Sequence, residues 1–126
     1  EASSTDLPHY YPVNSVSYTG THDNDTVLGW YESATDEERD FCNRYLNRTD
    51  EPISYAMLRS LYGSVSKMTI ATMQDLLQLD TTARINIPST LGGNWVWRMQ
   101  EGDITQEVED FLLEITELYD RSNEQL

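Results

Sequence analysis

At 126 residues the chain has the length of one ordinary domain. Its 38% hydrophobic and 24% charged residues make a globular composition, not a disordered one. The net charge of −14, from 22 acidic and 8 basic residues, repels phosphate backbones and anionic lipid, which argues against nucleic-acid and membrane partners. Cys42 is the single cysteine, so no internal disulfide can form and a reducing, cytoplasmic compartment fits. No apolar run approaches the ~20 residues that span a bilayer.

Residues 1–14 read as loop, with Pro8 and Pro12 among polar and aromatic residues. The opening segment Glu1 to Asp6 has neither an initiator Met nor the basic and apolar regions of a signal peptide, and reads as the interior of a longer protein. Val13 and Ser15 to Thr19 predict a short strand that ends in the polar turn Gly20 to Asp25. Thr26 to Ser33 predicts a short helix, with Asp25 as its candidate cap. Thr35-Asp36-Glu37-Glu38 has the pattern of a capping box. In the helix behind it, Phe41, Tyr45 and Leu46 share a face.

Ser54 is the candidate cap of a third helix, with Met57, Leu58, Leu61 and Tyr62 facing inward until Gly63. Lys67 to Met73 predicts a second strand, ended by Gln74 and by Asp75, to which a structural hydrogen-bonding role is assigned. From Leu79 to Gly102 a long loop is expected. In an extended chain its Trp95 and Trp97 share a face, which favours core packing over sugar stacking, and Arg98 is expected to pair with a carboxylate rather than to clamp substrate. Ile104 to Arg121 predicts the last helix, with Val108, Phe111, Leu112, Ile115, Leu118 and Tyr119 as its packing stripe. The resulting order is βαβα, so the expected class is α/β. Two strands are too few for an independent sheet, and the pattern reads either as half of a fold or as one edge of a larger α/β fold.

The densest chemistry lies in Tyr18-Thr-Gly-Thr-His22-Asp23-Asn24-Asp25. Three readings are open on composition alone. A metal site would use His and Asp, but adjacent residues on a strand point to opposite faces and only His9 could add another imidazole. A solvated turn needs no partner. A polyol site would use carboxylate and imidazole to hold vicinal hydroxyls, and glycoside chemistry requires carboxylates around an oxocarbenium-like transition state.

The blocks Leu7-Pro-His-Tyr-Tyr-Pro, Val16 to Tyr31, Gln74-Asp-Leu-Leu77, Ala83-Arg-Ile-Asn-Ile-Pro88 and Gly93-Asn-Trp-Val-Trp-Arg98 resemble the 4-α-glucanotransferases (amylomaltases) of glycoside hydrolase family 77, in order and in spacing, over roughly residues 7–121. The resemblance implies that residues 1–126 are the C-terminal part of a (β/α)8 TIM barrel, an incomplete domain. Tyr18 to Thr21 would be the seventh barrel strand and Met68 to Met73 the eighth.

It also implies transfer of an α-1,4-glucan segment to the 4-hydroxyl of an acceptor, by a retaining double displacement without metal or cofactor. Asp23 matches the family's third, transition-state-stabilising carboxylate, and His22 and Asn86 match substrate-binding residues. The nucleophile and the acid/base match nothing here, so the isolated chain is expected to be inactive. Its open sheet edges suggest that it self-associates. Tyr10 and Ile85 depart from the family's usual Asn and Met, which bears on acceptor preference. A non-catalytic glucan-binding module and a related α-glucan hydrolase are the competing functions.

Overall fold

The computed structural model describes residues 2–122. Its regular structure is mostly helical with a small sheet. Strands β1 (Val16–Tyr18) and β2 (Met68–Ile70) pair in parallel, with Val16 opposite Met68 and Tyr18 opposite Ile70. Parallel pairing needs a long crossover. Here it runs through helices α1 (Val27–Ser33), α2 (Asp36–Tyr45) and α3 (Ile53–Tyr62). After β2 come the short α4 (Met73–Leu76) and, beyond a long irregular segment, α5 (Gln106–Leu118).

Local capping sets most of these boundaries. Thr26 caps α1 by accepting from the Gly29 amide at 3.1 Å. Asp25, the expected cap, instead accepts from the Thr26 amide and the Thr81 hydroxyl. The Thr35 hydroxyl and Glu38 carboxylate close the predicted capping box on α2. Helix α3 starts one residue before Ser54, behind Pro52, and has no side-chain cap; Ser54 is fully buried instead. The second strand is shorter than the sequence suggests. The Thr72 hydroxyl accepts from the Asp75 amide at 3.2 Å and starts α4 at Met73, so the last strand-like residue becomes helical.

Helix α3 is the centre of the molecule. Tyr55, Leu58 and Tyr62 pack with Leu76 of α4 and with Val108, Phe111 and Ile115 of α5. The Tyr55 and Phe111 rings stack with centroids 3.7 Å apart and 7° between planes. Leu112 and Tyr119 join this core as expected, but Leu118 faces out. Arg121 ties the end of α5 back to the start of the sheet, donating to the carbonyls of Tyr62, Ser64 and Ser66 at 2.7–2.9 Å. A second cluster joins Val27, Cys42 and Ile53.

The sheet has one covered and one open face. Ser17 is buried, whereas Val16, Tyr18, Met68 and Ile70 are each about half exposed. Alternation along a strand puts these four apolar side chains on the same face of the pair.

Two outcomes are expected. Leu58→Ala, at a side chain with no exposed surface, should lower unfolding free energy by about 3 kcal/mol in urea titration. Burial pushes the Cys42 thiol above its usual range, only partly offset by the Arg48 charge. It therefore stays protonated near pH 8, where a free cysteine already yields thiolate. Alkylation by iodoacetamide at that pH should be slow in the folded chain and fast in urea.

Candidate functional site

The polar loop after β1 is held from below by Asp75. This carboxylate is buried in α4, and one oxygen accepts from the hydroxyls of Thr19 and of Thr72, the latter at 2.8 Å. The other accepts from the Val27 amide at 2.9 Å, at the first residue of α1. One side chain thus joins the end of β1, the start of α1 and its own helix, and residues 20–26 span the gap between the two anchors. Three donors satisfy the charge without a buried cation. The structural role expected for Asp75 is the one observed.

A second brace comes from residues 81–86. The Thr81 hydroxyl donates to Asp25 at 2.8 Å. This approach passes so close to α1 that a Cβ on Gly29 would lie 2.3 Å from the Thr81 hydroxyl oxygen and 2.6 Å from Asp25 Oδ1, and would push this hydrogen-bonded pair aside. The Arg84 guanidinium donates to the Asp23 carbonyl at 2.7 Å and to the Asn86 carbonyl at 3.0 Å.

These braces bring the three sequence-predicted site residues together. The Asn86 side-chain amide donates to Asp23 Oδ1 at 2.7 Å. His22 Nε2 lies 3.3 Å from Asp23 Oδ2, with both side chains about half exposed. A carboxylate has about four lone-pair positions, so with one partner on each oxygen Asp23 can still accept from hydroxyl donors. Among the described residues no group of three or more His, Cys, Asp and Glu could hold a metal ion. No helix of the described residues is long and apolar enough to cross a membrane.

The structure also brings in Trp95, for which the sequence favoured the core over sugar stacking. Trp95 is 55% exposed and lies in neither apolar cluster. Its ring centroid is 5.0 Å from that of His22, tilted by 35°. Its amide donates to the Ile85 carbonyl at 2.7 Å, closing the loop that begins at the Asn86 strap. The extended backbone assumed for Trp95 and Trp97 is broken at Trp95 itself, where φ is +60°. A bulky residue in that region carries strain of roughly 1–3 kcal/mol. The signal for this turn was Gly92-Gly93, both at positive φ. Arg98, expected to pair with a carboxylate, donates to the carbonyls of Trp95 and Trp97 and stiffens the same turn. His9 sits apart in the N-terminal loop, hydrogen-bonded to Tyr45 at 2.7 Å.

A half-exposed carboxylate, an imidazole, an amide and an indole meet beyond the C-terminal end of a parallel strand. That is equipment for gripping a polyhydroxylated ligand on an α/β scaffold. The family model described as 4-alpha-glucanotransferase, glycoside hydrolase family 77, matches residues 1–105. The 4-alpha-glucanotransferase of Streptococcus pneumoniae is 57% identical over all of this chain, which covers 25% of that protein. That of Clostridium butyricum is 42% identical over 96% of this chain and 25% of its own length. The solved amylomaltase from Streptococcus agalactiae in complex with acarbose superposes with a TM-score of 0.93 at 46% identity, covering 96% of this chain and 25% of that one. The chain belongs to the 4-α-glucanotransferase family, glycoside hydrolase family 77, and spans about a quarter of the length of these relatives.

Asp75→Ala should strand two hydroxyls and an amide, and lower stability by about 3 kcal/mol at roughly 1 kcal/mol per lost bond. A melting temperature equal to that of the unmodified protein would remove Asp75 from this account.

Proposed function

We propose that this segment supplies the transition-state-stabilising carboxylate, Asp23, of a 4-α-glucanotransferase, with His22 and Asn86 as its substrate-binding partners. The reaction moves a segment of an α-1,4-glucan onto the 4-hydroxyl of a second glucan or glucose. In a retaining double displacement an enzyme carboxylate attacks the anomeric carbon while an acid protonates the leaving oxygen. The acceptor hydroxyl then attacks the glycosyl-enzyme, giving its proton to the same acid/base group. On this reading both of those groups lie elsewhere in the full-length enzyme. β1 and β2 are the last two strands of its (β/α)8 barrel, the half-exposed apolar face of the pair looks into the barrel, and the enzyme works in the cytoplasm.

The observation that carries the proposal is the placement of Asp23. One of its oxygens is fixed by the Asn86 amide at 2.7 Å and the other lies 3.3 Å from His22. The carboxylate is therefore oriented before ligand arrives, yet about half of its side chain remains open. Hydroxyls held by a fixed anion bind more tightly as the sugar ring flattens and gains positive charge. Interactions that strengthen in the transition state lower the barrier, whereas uniform binding does not.

In the full-length enzyme Asp23→Ala should reduce kcat on maltotriose by ~100-fold or more, about 3 kcal/mol of transition-state stabilisation. Near-normal turnover would remove the assigned role. The 126-residue chain by itself should release no glucose from maltotriose, and light scattering should find it associated through its open strand edges. Robust glucose release would place the nucleophile within these residues, and a monodisperse monomer would contradict the association.

A further inference from the structure

Trp95 combines three features that core packing does not explain. Its ring lies against His22 and in neither apolar cluster. It sits at a positive φ that its bulk disfavours. The loop around it is closed by its own hydrogen bonds: Trp95 N to the Ile85 carbonyl, the Ile87 amide to Asn94 Oδ1, and Asn94 Nδ2 to the Thr90 hydroxyl at 2.9 Å. A turn with no ligand to meet has no need of a bulky side chain at a left-handed φ. Backbone strain persists where the surroundings impose it, and such positions cluster at ligand sites.

The loop places the indole against His22, beside the carboxylate of Asp23. Asp23 and His22 can bind only the hydroxyl edge of a sugar. The ring faces are made of C–H groups, and a flat apolar surface next to the edge-binding groups is what they require.

We propose that Trp95 is a substrate-contacting, specificity-determining residue, whose indole takes the C–H face of a glucosyl unit of the α-1,4-glucan bound beside Asp23. The inference rests on the assignment of Asp23 above and deepens it. The strained turn trades local backbone freedom for a ring already in place when the glucan arrives, which cuts the ordering cost of binding. Glucan would then be selected by two surfaces meeting at an angle, a polar one for ring hydroxyls and an apolar one for a ring face.

The test is the affinity of the full-length enzyme for acarbose, by titration calorimetry, in three variants. Trp95→Phe keeps a flat ring and should stay near the unmodified affinity. Trp95→Leu keeps apolar bulk without a flat face and should weaken binding by roughly tenfold, the scale of one lost stacking contact. Trp95→Gly should weaken it at least as much without lowering the melting temperature, because glycine adopts the positive φ freely and retains the amide donor to Ile85. Unchanged affinity in the Leu and Gly variants would overturn the proposal, and so would a Phe variant as weak as Leu. Asp23→Ala turnover, measured alongside, separates the two readings. Retained turnover removes the role of Asp23, while the affinities of the Trp95 variants decide this inference alone.

Discussion

The buried carboxylate of Asp75 is the constraint on which the site depends. It terminates three chain segments at one point: the end of β1 through Thr19, the start of α1 through Val27, and α4 through Thr72. A carboxylate so far from solvent is tolerable only when its lone pairs are filled, and here hydroxyl and amide donors fill them. With both ends of the 20–26 loop tied to one rigid group, His22 and Asp23 have little freedom to drift from the end of the strand. Because α4 also contributes Leu76 to the main apolar cluster, the loop inherits the rigidity of the core.

What Asp75 does from below, the 81–95 segment does from the side. Thr81, Arg84 and Asn86 each bond the Asp23 loop, the first through Asp25 and the other two through Asp23 itself. Gly29 makes room for this approach by having no side chain. The same segment then turns back at Gly92-Gly93 to set Trp95 against His22. The result is a cluster of His22, Asp23, Asn86 and Trp95 on two loops whose bonded residues are 61 and 63 apart in sequence, adjacent in space because parallel β1 and β2 end side by side.

Elements whose signals are local were legible in the sequence. The Thr35 capping box, the β1 run and the apolar stripe of α5 up to Ile115, with Tyr119, appear where periodicity and capping chemistry put them. The motif blocks that resemble the family contain Asp23, His22 and Asn86, and the structure brings these three side chains together. What was not legible depended on tertiary partners. Ser54 has the chemistry of a cap but is claimed by helix packing, and Met73 continues an apolar run but is captured by the Thr72 cap of α4. The spacing of Trp95 and Trp97 suggested a shared face, which one left-handed residue abolishes. Arg98 found backbone carbonyls in the same turn before it could reach a carboxylate. In each case a partner distant in sequence, or a single backbone angle, outweighed a correct local preference.

The central claim is that the Asp23 carboxylate, oriented by Asn86 and His22, holds sugar hydroxyls. The most direct test is a crystal structure of the full-length enzyme soaked with acarbose. The account predicts both Asp23 oxygens within ~3 Å of hydroxyls on one ring, with His22 bonding the same ring. Sugar hydroxyls that remain beyond about 4 Å from Asp23, with the ligand ordered elsewhere in the site, would contradict it.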